Sequence, residues 1–216
     1  MKLTDAFYLS AYSAVVALAL GSTQVCAEED PASQEQDPDW PCEQILVPEV
    51  SAAVVWDGPS VDKLTENWRD LPEVEALVRR ITDRNAVPQQ SDAQIAEFAA
   101  AQPPAEKDKM LTLLFAGVLE TLNADRSHLI SGIKRYSRDQ ERRADALGQQ
   151  LSEIVKLEGD SSEEGAQRLE ELNRTVVLEQ RAFDEREKSI SYLCTRPVVV
   201  EQRLGVLART IAGYLD

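Results

Sequence analysis

An apolar residue recurs every seven positions through the last part of the chain, at Leu169, Val176, Phe183 and Ile190. The companion positions are Leu172, Glu179, Arg186 and Leu193. The same frame continues past Pro197 through Val200, Leu204, Leu207, Ile211 and Tyr214. A seven-residue repeat sustained this far specifies a helix packed lengthwise on another helix, because 3.5 residues per turn keep one seam facing the partner.

The partner lies just upstream. No proline interrupts the chain between Pro104 and Leu157, and Leu111, Phe115, Val118, Leu122, Leu129, Ile133, Tyr136, Leu147, Leu151 and Ile154 are spaced by threes, fours and their sums. Gly117, Gly132 and Gly148 each cost about 1 kcal/mol relative to alanine, too little to defeat so long a helix. The pattern stops at Gly159-Asp160-Ser161-Ser162. Glycine there suits a helix stop and serine the next N-cap. Folding back at this turn sets residues 111–133 opposite 187–209, and residues 135–143 opposite 177–185. The expected fold class is therefore all-α: a helical bundle base carrying a long antiparallel hairpin, with a coiled-coil stalk at about residues 135–186. Pro197 is expected to kink the second helix or to start a new one.

Shorter helices complete the base of a helical domain over residues 61–216. One is expected at residues 61–69. A second opens at Asp70-Leu71-Pro72-Glu73, with Asp70 as N-cap and an apolar face of Leu71, Val74, Leu77, Val78 and Ile81. A third opens at the capping box Ser91-Asp92-Ala93-Gln94, turns Ile95 and Phe98 inward, and ends at Pro103-Pro104.

Upstream of the helices the composition changes twice. Residues 1–27 read as a signal peptide: Lys2 near the start, no charge from Ala6 to Ala27, and Val25-Cys26-Ala27 ahead of Glu28-Glu29-Asp30. A retained segment would instead anchor the protein, since its uncharged run is long enough to span a bilayer. Residues 28–39 are an acidic leader expected to be flexible. Residues 40–60 hold three prolines, which exclude a long helix, and read as an extended segment packed on the base. Trp40 and Trp56 in that segment serve either as core plugs or as part of a partner-binding patch. Signal cleavage leaves two cysteines, Cys42 and Cys194, and an even pair in an exported chain reads as one disulfide.

The charge balance and motif content narrow the function. With 38 acidic against 23 basic residues the net charge is -15, which argues against nucleic-acid binding and against docking on anionic lipid. His128 is the sole histidine, and no nucleotide-binding, metalloprotease or nucleophile-elbow pattern occurs. We assign no catalytic, cofactor or metal residue from the sequence. The basic run Lys134, Arg135, Arg138, Arg142 and Arg143 alternates with Asp139, Glu141 and Asp145 and reads as a salt-bridged helix face. Glu179 and Arg186 are polar residues in an apolar seam, so they either pair across the hairpin (Glu179 with Arg138 or Arg142) or contact a partner.

The expected function is that of an exported, periplasmic or secreted, non-enzymatic helical adaptor or scaffold binding another exported or envelope protein. Candidate contact residues are Trp40, Trp56, Glu179 and Arg186. A homodimer through the stalk fits the same periodicity, and membrane association requires a retained signal segment. The alternative is a small-ligand-binding protein or enzyme with a pocket near Trp40, Trp56 and Trp68.

Overall fold

The computed structural model describes residues 37–216. The expected signal peptide and most of the acidic leader lie outside the described residues. The described chain contains helices and no strand: α1 (Ala52–Val55), α2 (Pro72–Thr82), α3 (Pro88–Ala101), α4 (Lys107–Leu157) and α5 (Glu163–Ala212). Single 3₁₀ turns occur at Val61–Lys63 and Trp68–Asp70.

The all-α hairpin is present. α4 and α5 pack against each other as two helices of 51 and 50 residues, each about 75 Å long at 1.5 Å per residue. The turn between them forms where the glycine and serines stand. Ser162 caps α5, its Oγ accepting the Gly165 N–H at 3.0 Å, and the Asp160 carboxylate accepts the Ser162 N–H at 2.9 Å. α5 runs through Pro197 to Ala212, so no new helix starts at the proline. Proline has no N–H to offer the preceding turn. Beside that gap the Cys194 carbonyl accepts the Gln44 side-chain amide at 2.6 Å.

Three apolar clusters divide the molecule along the hairpin. The main core joins α2, the first turns of α4 and the last turns of α5, with Leu111, Leu114, Phe115, Leu204 and Ile211 essentially inaccessible. Ile95 and Ala99 of α3 close it on one side, and Trp56 stacks on Phe115 with ring centroids 4.1 Å apart. A second, small cluster holds Trp40, Cys42, Ile130, Ile133 and Cys194. The third is the stalk seam, where Leu147, Ile154, Leu172 and Val176 are buried with Leu157, Leu169 and Phe183 against them.

Local helix starts differ from the sequence expectation in three places. Residues 61–69 do not form a helix. Ser60 and Asn67 each accept a backbone N–H two residues on, which satisfies the chain locally as two separate turns. Asp70 consequently belongs to the second turn, and α2 takes Leu71 as its uncapped N-cap with Pro72 in its first turn. α3 begins one turn before the expected capping box, because Pro88 already carries the φ of a first helical residue. Ser91 is therefore inside α3 and buried, its hydroxyl donating to the Val87 carbonyl at 3.3 Å.

Gly117 has a packing role that outweighs its helical cost. A Cβ at this position would lie 2.6 Å from Val78 Cγ2 and 2.9 Å from Trp68 Cδ2. Both neighbours sit in the core with little room to retreat. Replacing Gly117 by alanine should destabilise the chain by about 1–2 kcal/mol, since overpacking exceeds the propensity gain. Urea unfolding with an unchanged slope and a lower midpoint would bear this out, and a raised midpoint would refute it.

Candidate functional site

The extended segment before α1 lies along one face of the hairpin, and polar side chains of α4 fix it there. Asn123 accepts the Val50 N–H and donates to the Val50 carbonyl, both at 2.9 Å. Arg126 is only 4% exposed. Its guanidinium donates to the carbonyls of Val47 and Pro48 and to the Glu201 carboxylate of α5, the last at 2.6 Å. One buried cation thus joins three segments of chain. Further upstream, Asp37 pairs with Lys134 at 2.6 Å and Asp39 pairs with Arg138. The end of the leader is therefore clamped on the basic run of α4, where the sequence suggested a free tail. This also changes the pairing of that run: only Arg142 and Arg143 rely on Asp139 of their own helix.

The disulfide joins Cys42 to Cys194, 152 positions apart with Cα atoms separated by 5.6 Å. Trp40 and Trp56, the indoles singled out for contact with a partner, are 6% and 8% exposed, so neither presents an open aromatic surface. Their indole N–H groups donate to the carbonyls of Gln44 and Pro59, both at 2.8 Å. Trp68 is also buried and donates to Glu120 at 2.9 Å. Trp56 and Trp68 belong to the main core and Trp40 to the second cluster, so the three rings do not enclose a common pocket. A groove of about 620 Å³ lies instead between residues 41–44 and α5 and is lined by Cys42, Cys194, Ile190, Val198 and Val199.

In the stalk the two polar seam residues behave differently. Arg186 bridges the hairpin: it donates to Gln140 Oε1 at 3.0 Å and to Asp139 at 2.7 Å, and its guanidinium lies 4.3 Å from the Tyr136 ring centroid. Tyr136 donates back to the Arg186 carbonyl at 2.9 Å, and Gln140 donates to Phe183 O and to Glu187. Glu179 is exposed, with no ion pair among the described residues. The expected pairing to Arg138 or Arg142 is not made, because Asp39 and Asp139 take those arginines. A two-helix rod has no third element to cover a long polar side chain, so Glu179 stays in water.

Sequence reasoning missed Arg126 and Gln140 as organising residues. Both fall on the seven-residue series 126, 133, 140, 147, 154, whose other members are Ile133, Leu147 and Ile154, and both are buried. Polar residues interrupting an apolar series were the available signal.

Several carboxylates are held below their ordinary range. Glu120 is lowered chiefly by its paired hydrogen bonds with Arg69, both 2.8 Å, and then by the Trp68 N–H. Asp37 is lowered first by Lys134, and Asp139 first by Arg143. Such groups stabilise the fold fully above their unfolded values, 4.5 for Glu120 and 3.8 for the aspartates, and lose that contribution as pH falls through the lowered folded values. Thermal melts should therefore show Tm falling as pH drops from neutral toward 3. Glu120→Gln should lower Tm at neutral pH and flatten the acid slope, and an unaltered slope would remove Glu120 from this account.

Among the described residues, no group of three or more His, Cys, Asp or Glu side chains is placed to hold a metal ion, and His128 is exposed on α4. No described helix is long and apolar enough to cross a membrane. Comparison with protein-family models, with curated proteins and with solved structures gives no match.

What the hairpin does present is apolar surface outside its seam. Leu151 and Val155 stand one turn apart on α4, and Val177 and Leu178 are adjacent on α5, each 48–68% exposed. All four belong to the stretch of the hairpin whose seam is closed by Leu147, Ile154, Leu172 and Val176. A second exposed series, Tyr192, Val199 and Val206, follows the same seven-residue spacing along the outer side of α5.

Proposed function

We propose that the chain is an exported, non-enzymatic helical adaptor or scaffold whose stalk binds another exported or envelope protein. The observation that carries this reading is the exposed set Leu151, Val155, Val177 and Leu178 on a slender two-helix rod. Apolar side chains left in water on a narrow projection are poorly hydrated and favour a contact that covers them. The signal-like residues 1–27 and the paired cysteines support an oxidising compartment, periplasmic or secreted, as the setting of that contact. The net charge of -15 favours a protein partner over nucleic acid or an anionic membrane.

Site-specific photo-crosslinking in the producing cells tests this. A photoreactive residue at Leu178 should capture one heterologous exported protein. Adding Val155→Glu and Val177→Glu should reduce that capture at least ~10-fold while Tm moves by no more than about 2 °C, as expected of surface changes. Capture of a second copy alone would replace the adaptor by a homodimer. Capture of nothing would end the proposal.

A further inference from the structure

Residues 37–50 form a strap whose two halves are held in different ways. The downstream half is fixed by Asn123 at Val50 and by buried Arg126 at Val47 and Pro48. The upstream half, residues 37–44, has weaker non-covalent support. Its ion pairs to Lys134 and Arg138 are partly exposed, where such pairs contribute little. The Trp40 indole bonds to Gln44 O within the strap itself, so that bond would travel with it. There remain the Gln44 amide on the Cys194 carbonyl, the burial of the Trp40 ring, and the Cys42–Cys194 bond.

Beneath this half lie Ile130 and Ile133 of α4 with Ile190 and Leu193 of α5. They form an apolar cluster separate from the main core, and Trp40, Cys42 and Leu46 of the strap complete its cover, Leu46 lying next to the half that Arg126 holds. The groove beside residues 41–44 is lined by both cysteines and opens to solvent, so a thiolate would approach from this side, where Cys42 and Cys194 keep 4% and 9% of their surface exposed.

We infer that Cys42–Cys194 is a redox latch: reducing it frees residues 37–44 and uncovers the apolar face made by Ile130, Ile133, Ile190 and Leu193. The reductant is a dithiol. Its thiolate attacks one Sγ, the sulfur–sulfur bond breaks, and the electron pair leaves on the other Sγ, which takes up a proton. The second thiol of the reductant then displaces the first cysteine as a thiol. Two electrons and two protons pass to the protein, and the reductant departs as a disulfide. Once the bond is open, Trp40 is the one large anchor set against the conformational freedom of the whole upstream half.

Hydrogen exchange read by mass spectrometry tests the latch, at a temperature where all forms are folded. The full chain is compared oxidised, treated with dithiothreitol, and as the Cys42→Ser/Cys194→Ser variant. Amides of residues 38–46 should exchange at least ~10-fold faster in the second and third forms, with helical circular dichroism unchanged and a rise in the fluorescence of an apolar-surface dye. Oxidised Trp40→Ala should keep most of the strap protection. The inference is overturned if the strap stays protected after reduction. It is equally overturned if helicity collapses with the bond, if dithiothreitol leaves the folded bond intact, or if Trp40→Ala alone opens the strap as fully as reduction does.

Discussion

Replacing Arg126 by methionine should destabilise the fold by about 2–4 kcal/mol and lower Tm by roughly 5–15 °C. Methionine refills much of the volume left by the arginine stem, so the loss is not mainly a cavity. It comes from the partners left behind: the carbonyls of Val47 and Pro48 lose a charged donor, and Glu201 loses its cation. The Glu201 side chain keeps 37% of its surface in water, so it can recover some hydration, whereas the paired arginine side chain keeps 5%. The asymmetry makes a double-mutant cycle informative. Arg126→Met with Glu201→Leu should recover part of the loss, because removing both partners of an ion pair is far less costly than stranding one. It should not recover all of it, because the two carbonyls remain without their donor. Arg126→Lys should fall between, since an ammonium lacks the planar fork that serves strap and helix at once. If Arg126→Met melts within 1–2 °C of the parent, taken as roughly half a kcal/mol, the arginine does not organise this junction.

Arg126 also marks where the sequence was legible and where it was not. The heptad from Leu169 onward and the proline-free run before it announced two long helices, and Gly159 with Ser162 announced the turn. These signals survive because a period repeated over many turns is decided by burial along an entire face. The disulfide was legible by count. Helix starts in the base were not, because Pro88 and the side chains of Ser60 and Asn67 compete locally with the expected caps, and a single turn is settled by such small differences. The course of residues 37–50 was hidden for another reason. It follows from Asn123, Arg126, Lys134 and Arg138 meeting segments about 75–100 residues away, and no local periodicity records such pairings. Glu179 was misplaced because a heptad names the seam position without saying whether the surrounding rod is thick enough to bury it.

The largest single loss should follow from removing the disulfide. Cys42 and Cys194 close a loop of 152 positions, nearly the whole described chain. On the chain-entropy model, opening so large a loop frees the unfolded ensemble by about 5 kcal/mol, and measured effects of native disulfides run at about 2–5 kcal/mol. The Cys42→Ser/Cys194→Ser chain should accordingly melt roughly 8–15 °C below the oxidised parent. The loss need not be matched by broken contacts in the main core, which is built from α2, α3, α4, α5, Trp56 and Trp68 and includes neither cysteine. Kinetics can separate the two contributions. If the bond acts mainly on the unfolded chain, the variant should refold more slowly while its unfolding rate changes little, because loop closure must then be achieved without the tether. If the strap is instead a native-state brace, the loss should appear as faster unfolding. Reduction of the wild-type chain should reproduce the serine variant in both rates, and a reduced parent that melts with the oxidised one would deny the disulfide any part in stability.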